Sequence, residues 1–388
     1  MSSKQVKPWK RIAVIGAPVL QTVLSPFNAV LARYAAEKDH WQIVFSSHEI
    51  TSSAFRVLRE LACDGAIVRL TSPEIADEAR QLNFPIVNYS SWLAEPGVPT
   101  VRRDDRALGR LCAEHLLAKG FRRFGCLRLP GGWYIEARIE SFVATLVAAG
   151  VDAEIVVLPI RAHPLRQEDR RKFRQWLAAL QPPAALFLPD DIDAPEFMDL
   201  CRETGRRIPR DIAVVSAYGH AETLRQCLPS LSYAAEDEVT IATRSAEWLD
   251  RLMRGRKVVA NVVLVPPLGL VAQGSTATVA VDDQEVALAA EFLRNHASEE
   301  INVADVARQV SIARVTLERR FRQAMGATLH DYLTRQRVER AKELLKQSPS
   351  LPLGQLAQQC GFASRKRLNA VFKQFAGKTP KAWRDDAK

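Results

Sequence analysis

Short runs of apolar residues alternate with amphipathic stretches through the first 275 positions of the chain. RIAVIG at 11–16 has the length and β-branched content of a buried strand, and helical periodicity over 26–38 follows it. The same alternation predicts strands at 41–46, 65–70 and 84–89, with helices at 53–61 and 75–82 between them. It resumes after a helix at 106–119. Strands are predicted at 123–129, 155–159, 184–188 and 212–217, separated by helices at 139–149, 169–180 and 195–203. Parallel strands need helical crossovers, so this order predicts parallel sheets with helices on both faces. Two sets of such units are more than one open sheet usually holds. The expectation is an α/β domain over 11–275, after a flexible basic tail at 1–10, whose two lobes face each other across a cleft.

From 285 onward the strand signal stops and the pattern is purely helical. One amphipathic helix is predicted at 285–296. The segments 303–310, 311–313 and 314–321 then have helix-turn-helix spacing, and 353–360, 361–363 and 364–373 repeat it. In the first unit Ala307 allows close helix approach. Val310, Ile312, Leu317 and Phe321 form its inner face, leaving Arg314, Val315, Glu318 and Arg319 outward. In the second, Ser364 is placed to cap a helix and Gly361 permits the turn. Leu368 and Phe372 point inward there, whereas Arg365, Lys366 and Asn369 point outward. A single helix at 329–347, stopped by Ser348-Pro349, joins the two units. At ~1.5 Å per residue it spans roughly 28 Å, close to the ~34 Å between successive major-groove faces of DNA. This predicts a linker over 276–284 and an all-α domain over 285–388.

Charge sharpens the picture because of where it lies. The net charge is +10, yet positions 311–388 hold 17 Lys and Arg against 6 Asp and Glu, leaving 37 against 38 for the rest. A positive field confined to the helical end favours a polyanion, since bound phosphates release condensed counterions. Double-stranded DNA is the predicted partner. The apolar stretch 258–271 contains Pro266 and Pro267 and is too short to cross a bilayer. The opening MSSKQVKPWKR lacks the apolar core of a secretory leader. No membrane association is expected, and the expected location is cytoplasmic. Cys63, Cys112, Cys126, Cys201, Cys227 and Cys360 form no CxxC pair and read as reduced, buried thiols. No metal and no cofactor are expected. Gly16-Ala17-Pro18 stands where a dinucleotide turn would need GxGxxG. There is no GxSxG, P-loop or HExxH, and His115 and His163 stand alone, so the chain is not read as an enzyme.

The run RDDRALGRLCAEHLLAKGFRR at 103–123 resembles the core signature of the LacI and periplasmic sugar-binding fold, in which an Asp caps a helix before the chain crosses lobes. Asp104 is placed to be that cap. Arg138-Ile139-Glu140-Ser141-Phe142 is similar to the fold's R-x-x-G/A-F element. The resemblance implies two Rossmann-like parallel sheets and makes Arg138 an effector ligand, its forked guanidinium suited to paired hydroxyls or a carboxylate. It also places Asp190 and Asp191 at the pocket lining, Asp191 aligning better. Where that fold usually has an acid after the strand at 212–217, this chain has Tyr218, an aromatic able to stack on a sugar ring.

The ending, with Gly361-Phe362 and FKQFAGKTPKAWR at 372–384, resembles AraC/XylS-type regulators in a long gapless match to GF-x-x…FK-x-x-x-G-x-TP-x-x-[YW]R. Ala313 and Leu368 depart from that pattern, where a Ser cap and an aromatic are usual. The resemblance turns Val315, Glu318, Arg319, Arg365, Lys366 and Asn369 toward bases. Arg and Lys suit guanine, Asn adenine and Glu cytosine. Arg314, Arg320, Lys373 and Lys378 are read as phosphate contacts, with Arg367 in the same basic patch. Together the two resemblances imply a transcription regulator of carbohydrate-use genes. It is expected to be a homodimer that answers to a small sugar or polyol and works with RNA polymerase. Two alternatives stay open: lobes that only dimerise or hold a non-sugar ligand, and a binding protein or enzyme with an appended module.

Overall fold

The computed structural model describes residues 9–16, 25–37, 41–46, 55, 58, 60, 62–151, 155–161, 164–258, 260–278, 281, 283–299, 301–348 and 350–386. Most of the predicted helix at 53–61 and of the predicted tail lies outside them. The chain forms two compact units, the first taking most of the chain up to Thr276 and the second taking it up from Ala277.

The first unit runs through β1 (Lys10–Ile15), α1 (Pro26–Glu37), β2 (Trp41–Ser46), β3 (Gly65–Val68), α2 (Pro73–Arg80), β4 (Ile86–Asn88), β5 (Thr100–Arg103) and α3 (Asp105–Ala118). It continues with β6 (Phe124–Arg128), α4 (Trp133–Ala148), β7 (Ile155–Pro159), α5 (Gln167–Ala179), β8 (Ala184–Leu188), α6 (Ala194–Glu203), β9 (Ile212–Ser216) and α7 (Ala221–Gln226). It closes with β10 (Ser232–Ala235), α8 (Glu238–Met253), β11 (Val262–Val265) and β12 (Gly269–Val271). Two six-stranded sheets result, ordered β11-β5-β4-β3-β1-β2 and β12-β10-β9-β8-β6-β7. The described pairings are parallel except β10 with β12. The chain therefore crosses between lobes after β5, returns after β10 through α8, and crosses again after β11.

Burial explains why these strands read as unbroken apolar runs. β3, β8 and β9 are buried at every position, because each sheet carries helices on both faces. In the first lobe Ile12, Val14, Ile67, Phe27, Leu31 and Leu249 pack on one side of the sheet. Ala13, Ile15, Phe55, Val68, Leu70 and Ile86 pack on the other. In the second lobe Phe142 stacks on Phe187 at 4.1 Å between ring centroids. Helices α3 and α4 meet almost backbone to backbone at Gly109, where a Cβ would come within 2.1 Å of the Arg138 carbonyl oxygen. That contact fixes the helix carrying Arg138 against the helix that opens with Asp105.

The second unit is helical: α9 (Gln284–Asn295), α10 (Val303–Gln309), α11 (Arg314–Met325), α12 (Leu329–Gln347), α13 (Leu353–Gln359), α14 (Arg365–Ala376) and α15 (Pro380–Asp386). It holds two cores. Leu293, Val306, Leu317 and Phe321 gather in one, and Leu356, Cys360, Leu368 and Phe372 in the other. Helix α12 serves both, giving Leu329, Tyr332 and Leu333 to the first and Val338, Ala341 and Leu345 to the second. Asn302 and Asp305 form a capping box at α10, Thr328 caps α12 and Ser364 caps α14, accepting from the Arg367 amide at 3.2 Å. Ala313 begins α11 with no side-chain cap. Gly361 adopts φ +71° with the Ala297 carbonyl close by, so its glycine is required twice over.

Several elements differ from the sequence reading. Strands β5, β10, β11 and β12 and helices α7, α8 and α15 were not expected. The four strands are three or four residues long, too short for an alternation to stand out from the loops around them. Helix α4 starts at Trp133, ahead of the expected 139, because the Ser91 and Trp92 carbonyls satisfy its first amides. The first unit includes Thr276, which with Gly274 and Ser275 forms a 3-10 turn, so the connection to α9 is shorter than expected.

Candidate ligand junction and nucleic-acid interface

The lobes meet where β5, β8, β9 and β10 end. Asp104 caps α3, its Oδ1 accepting from the Ala107 amide at 2.9 Å, which leaves Asp105 buried as the first helical residue. Arg138, fully buried on α4, reaches across to it. Its Nε donates to Asp105 Oδ1 at 2.8 Å and its Nη1 to the Pro189 carbonyl at 2.7 Å. Its Nη2 lies 3.8 Å from Glu236 Oε1 and has no hydrogen bond among the described residues. Glu236 follows directly on β10 and accepts from Arg103 Nη1 at 2.5 Å. Aromatic rings flank the charges: Arg138 lies 4.8 Å from the Tyr134 ring, Arg103 5.5 Å from Tyr218 and Arg69 5.8 Å from Trp92.

Two features mark this junction as unfinished chemistry. Arg138 Nη2, Arg103 Nε, Trp92 Nε1, Asp105 Oδ2 and Glu236 Oε2 are all buried without a hydrogen-bond partner among the described residues. Each such omission costs about 1–3 kcal/mol unless something else supplies the bond. Burial also pushes the Glu236 carboxyl up to about 7, against the pull of Arg103 and Arg138. Burial and the neighbouring Asp190 raise Asp191 to about 6.

Of the four residues singled out from sequence, Arg138 and Tyr218 flank Arg103, and Asp190, half-exposed, adds its charge to the same group. Asp191 is buried, its Oδ2 accepting from the His220 amide at 2.6 Å ahead of α7. Sequence reasoning missed Glu236, Arg103, Asp105 and Arg69. Glu236 supplies a carboxylate from β10 at the junction where Tyr218 stands after β9. An acid one position beyond an unrecognised strand carries no local signal. Lobe one also reaches lobe two through the backbone, the Trp92 carbonyl accepting from the Trp133 amide at 2.7 Å and the Ser91 carbonyl from Tyr134 at 3.1 Å.

In the helical unit, Arg314, Val315 and Arg319 stand exposed on α11, Val315 at 76% of its full exposure. Arg314 Nε donates to Glu318 Oε1 at 3.0 Å, holding that carboxylate in place. The helix borders an open groove of about 810 Å³ lined by Arg314, Val315, Glu318, Arg319, Thr328 and His330, among others. Arg320 corrects the phosphate reading. Its guanidinium lies against the unit's own acids, Nε and Nη2 each 2.5 Å from Asp283 and Nη2 2.8 Å from Glu285. On α14, Arg365, Lys366, Arg367 and Lys373 are exposed. Asn369 is half-buried, its Oδ1 enclosed without a partner among the described residues, unlike the outward reader expected. The Lys378 ammonium lies 4.8 Å from the Trp383 ring. No described helix is long and apolar enough to cross a membrane. No group of three or more His, Cys, Asp or Glu suited to a metal occurs among the described residues.

Comparison with known proteins agrees with both halves. Residues 113–276 match the periplasmic binding protein-like domain family, and 36–169 match the periplasmic binding proteins and sugar binding domain of the LacI family. Residues 306–386 match a helix-turn-helix domain family. The xylose operon regulatory protein of Escherichia coli (strain K12) is 27% identical over 359 residues, 90% of each chain. Its namesake from Haemophilus influenzae is 26% identical over 338 residues, 84% of this chain and 86% of its own. The solved structure of the xylose-binding transcription activator xylR has 24% identity and a TM-score of 0.60, covering 97% of this chain and 98% of that one. With two parallel-dominated lobes in front and a basic double helix-turn-helix behind, this chain is a DNA-binding transcription regulator that joins a periplasmic-binding-protein-like domain to a helix-turn-helix domain.

Proposed function

We propose that the chain is a ligand-responsive regulator of carbohydrate-use genes, acting as a homodimer. A small polyhydroxylated molecule enters between the lobes and changes the placement of two DNA-binding domains at a promoter, altering the engagement of RNA polymerase. The observation that carries this reading is the buried polar network around Arg138, which spans both lobes and leaves charged donors and acceptors unanswered. The names of the relatives point to a pentose-related role. Arg138, Asp190, Tyr218 and Glu236 are assigned to the ligand. Arg314, Val315, Glu318, Arg319, Arg365, Lys366, Arg367, Lys373 and Lys378 are assigned to DNA, Arg320 to the stability of the domain. No catalytic step belongs to this reading. A ligand can act only through different affinities for the two arrangements.

The lobe-to-lobe hydrogen bonds at Trp92 and Trp133 favour one second reading, in which the lobes are locked together and serve dimerisation alone. Operator fragments selected from random duplexes and titrated by fluorescence anisotropy, with and without pentoses, hexoses and their acids, separate the two. A ligand that changes operator affinity or operator geometry supports the responsive reading. Unchanged binding across the panel supports the locked one, and failure to select any operator overturns both.

A further inference from the structure

The charges at the lobe junction are not balanced atom for atom. Arg138 has its Nε and Nη1 answered, but Nη2 is buried with its nearest carboxylate oxygen 3.8 Å away. Arg103 spends Nη1 on Glu236 and leaves a buried Nε without a partner among the described residues. Arg69, half-buried at the end of β3, has its guanidinium over Trp92 and no hydrogen-bond acceptor among the described residues. Trp92 meets Tyr134 edge-on at 5.9 Å between ring centroids, and Arg138 lies 4.8 Å from that Tyr134 ring, so Arg69 and Arg138 approach the same aromatic pair beside Arg103. Two of the carboxylates at hand are already held, Asp105 by Arg138 and Glu236 by Arg103. Asp190 stands at the rim of the same group with no ion pair among the described residues.

We infer that the ligand of this junction is a small hydroxylated carboxylate rather than a neutral sugar. Its carboxylate takes the free donors of Arg69, Arg103 and Arg138, and its hydroxyls donate to Asp190 and to the unpartnered oxygens of Glu236 and Asp105. A planar acid group matches guanidinium forks in a way a single hydroxyl does not. Without it, three cationic groups surround the site with their remaining donors unmet. The rings of Trp92, Tyr134 and Tyr218 provide flat walls that suit either a sugar ring or an aromatic one, so the source is a sugar acid or a hydroxylated aromatic acid. The inference rests on the ligand-responsive reading above and narrows it.

Matched pairs test it on the full-length chain by isothermal titration. Suitable pairs are D-xylonate against D-xylose, D-galacturonate against D-galactose, and 3,4-dihydroxybenzoate against its amide. The acid of at least one pair is expected to bind tenfold or more tighter than its neutral partner. The Arg69→Met variant, which removes a charge without breaking a side-chain hydrogen bond among the described residues, is expected to shrink that difference several-fold, with a smaller effect on the neutral partner. Which pair responds tells the sugar acid from the aromatic one. A neutral sugar binding as tightly as its acid, or discrimination left unchanged by Arg69→Met, overturns the acid assignment and leaves the responsive reading standing. Silence from every pair in protein that still binds its operator overturns both.

Discussion

A guanidinium with no solvent exposure is tolerable only where its charge is answered, and Arg138 shows what answering it involves. Removing one member of a fully buried ion pair typically costs about 3–5 kcal/mol, whereas replacing both with apolar groups of similar volume is often nearly neutral. Arg138→Met is therefore expected to destabilise the first unit by that amount, and adding Asp105→Leu to restore most of it, as read by urea denaturation. Equal stability of the single and double variants would contradict the pairing. Asp191 gives a second residue-level expectation. Its carboxyl is raised to about 6, so the folded form binds its proton more tightly than the unfolded chain does. The resulting stability is present below the ordinary carboxylate range and is lost as pH rises toward 6. Asp191→Asn should flatten the fall in melting temperature between about pH 4 and pH 6, and an unchanged profile would count against a buried acid there. At this scale the sequence exposed Arg138 through its R-x-x-S-F setting. It could not expose Glu236 or Arg69, whose importance comes from the ends of three different strands being brought to one point.

Among the elements, the two helix-turn-helix units differ in how their second helices begin. Helix α14 is capped by Ser364, whereas α11 starts at Ala313, whose side chain offers no acceptor. Backbone dihedrals of φ −58° and ψ 136° at Ala313 suit a capping residue. Ala313→Ser is therefore expected to stabilise the second unit by about 1 kcal/mol, seen as a higher denaturation midpoint with an unchanged slope. A loss of stability would mean the hydroxyl meets no amide. Helix α12 was located to the residue because its periodicity runs over many turns, and the apolar runs of β2, β7 and β8 likewise, whereas α8, sixteen residues long, was missed. The short lobe-crossing strands β5, β10, β11 and β12 were missed too. Their identity depends on partners far away in sequence, such as Val262 beside Thr100, and no local pattern encodes that.

For the whole molecule, the separation of charge matters more than its sum. Six of the exposed cations on α11 and α14 are assigned to DNA: Arg314, Arg319, Arg365, Lys366, Arg367 and Lys373. If each neutralises a phosphate, log affinity should fall against log salt with a slope of about −5 per domain. Lys373→Ala should reduce that slope by about one. Arg320→Ala should leave it unchanged while lowering thermal stability, because its partners are Asp283 and Glu285. A slope that drops equally for both would refute the division between DNA-facing and structural arginines.

Helix α12 belongs to both cores of the second unit at once, and this makes it a gear as well as a spacer. Each residue in it advances the chain by ~1.5 Å and turns it by about 100°. The residues between Leu333 and Val338 therefore set the angular phase of α14 relative to α11. One alanine inserted beside Gln336 would swing the second reading helix through more than a quarter turn, onto the wrong side of the duplex. Seven would bring it back to within about 20°, though about 10 Å further along. The permitted spacing between the two halves of its operator is therefore not a continuous preference but a discrete one, set by a count of residues.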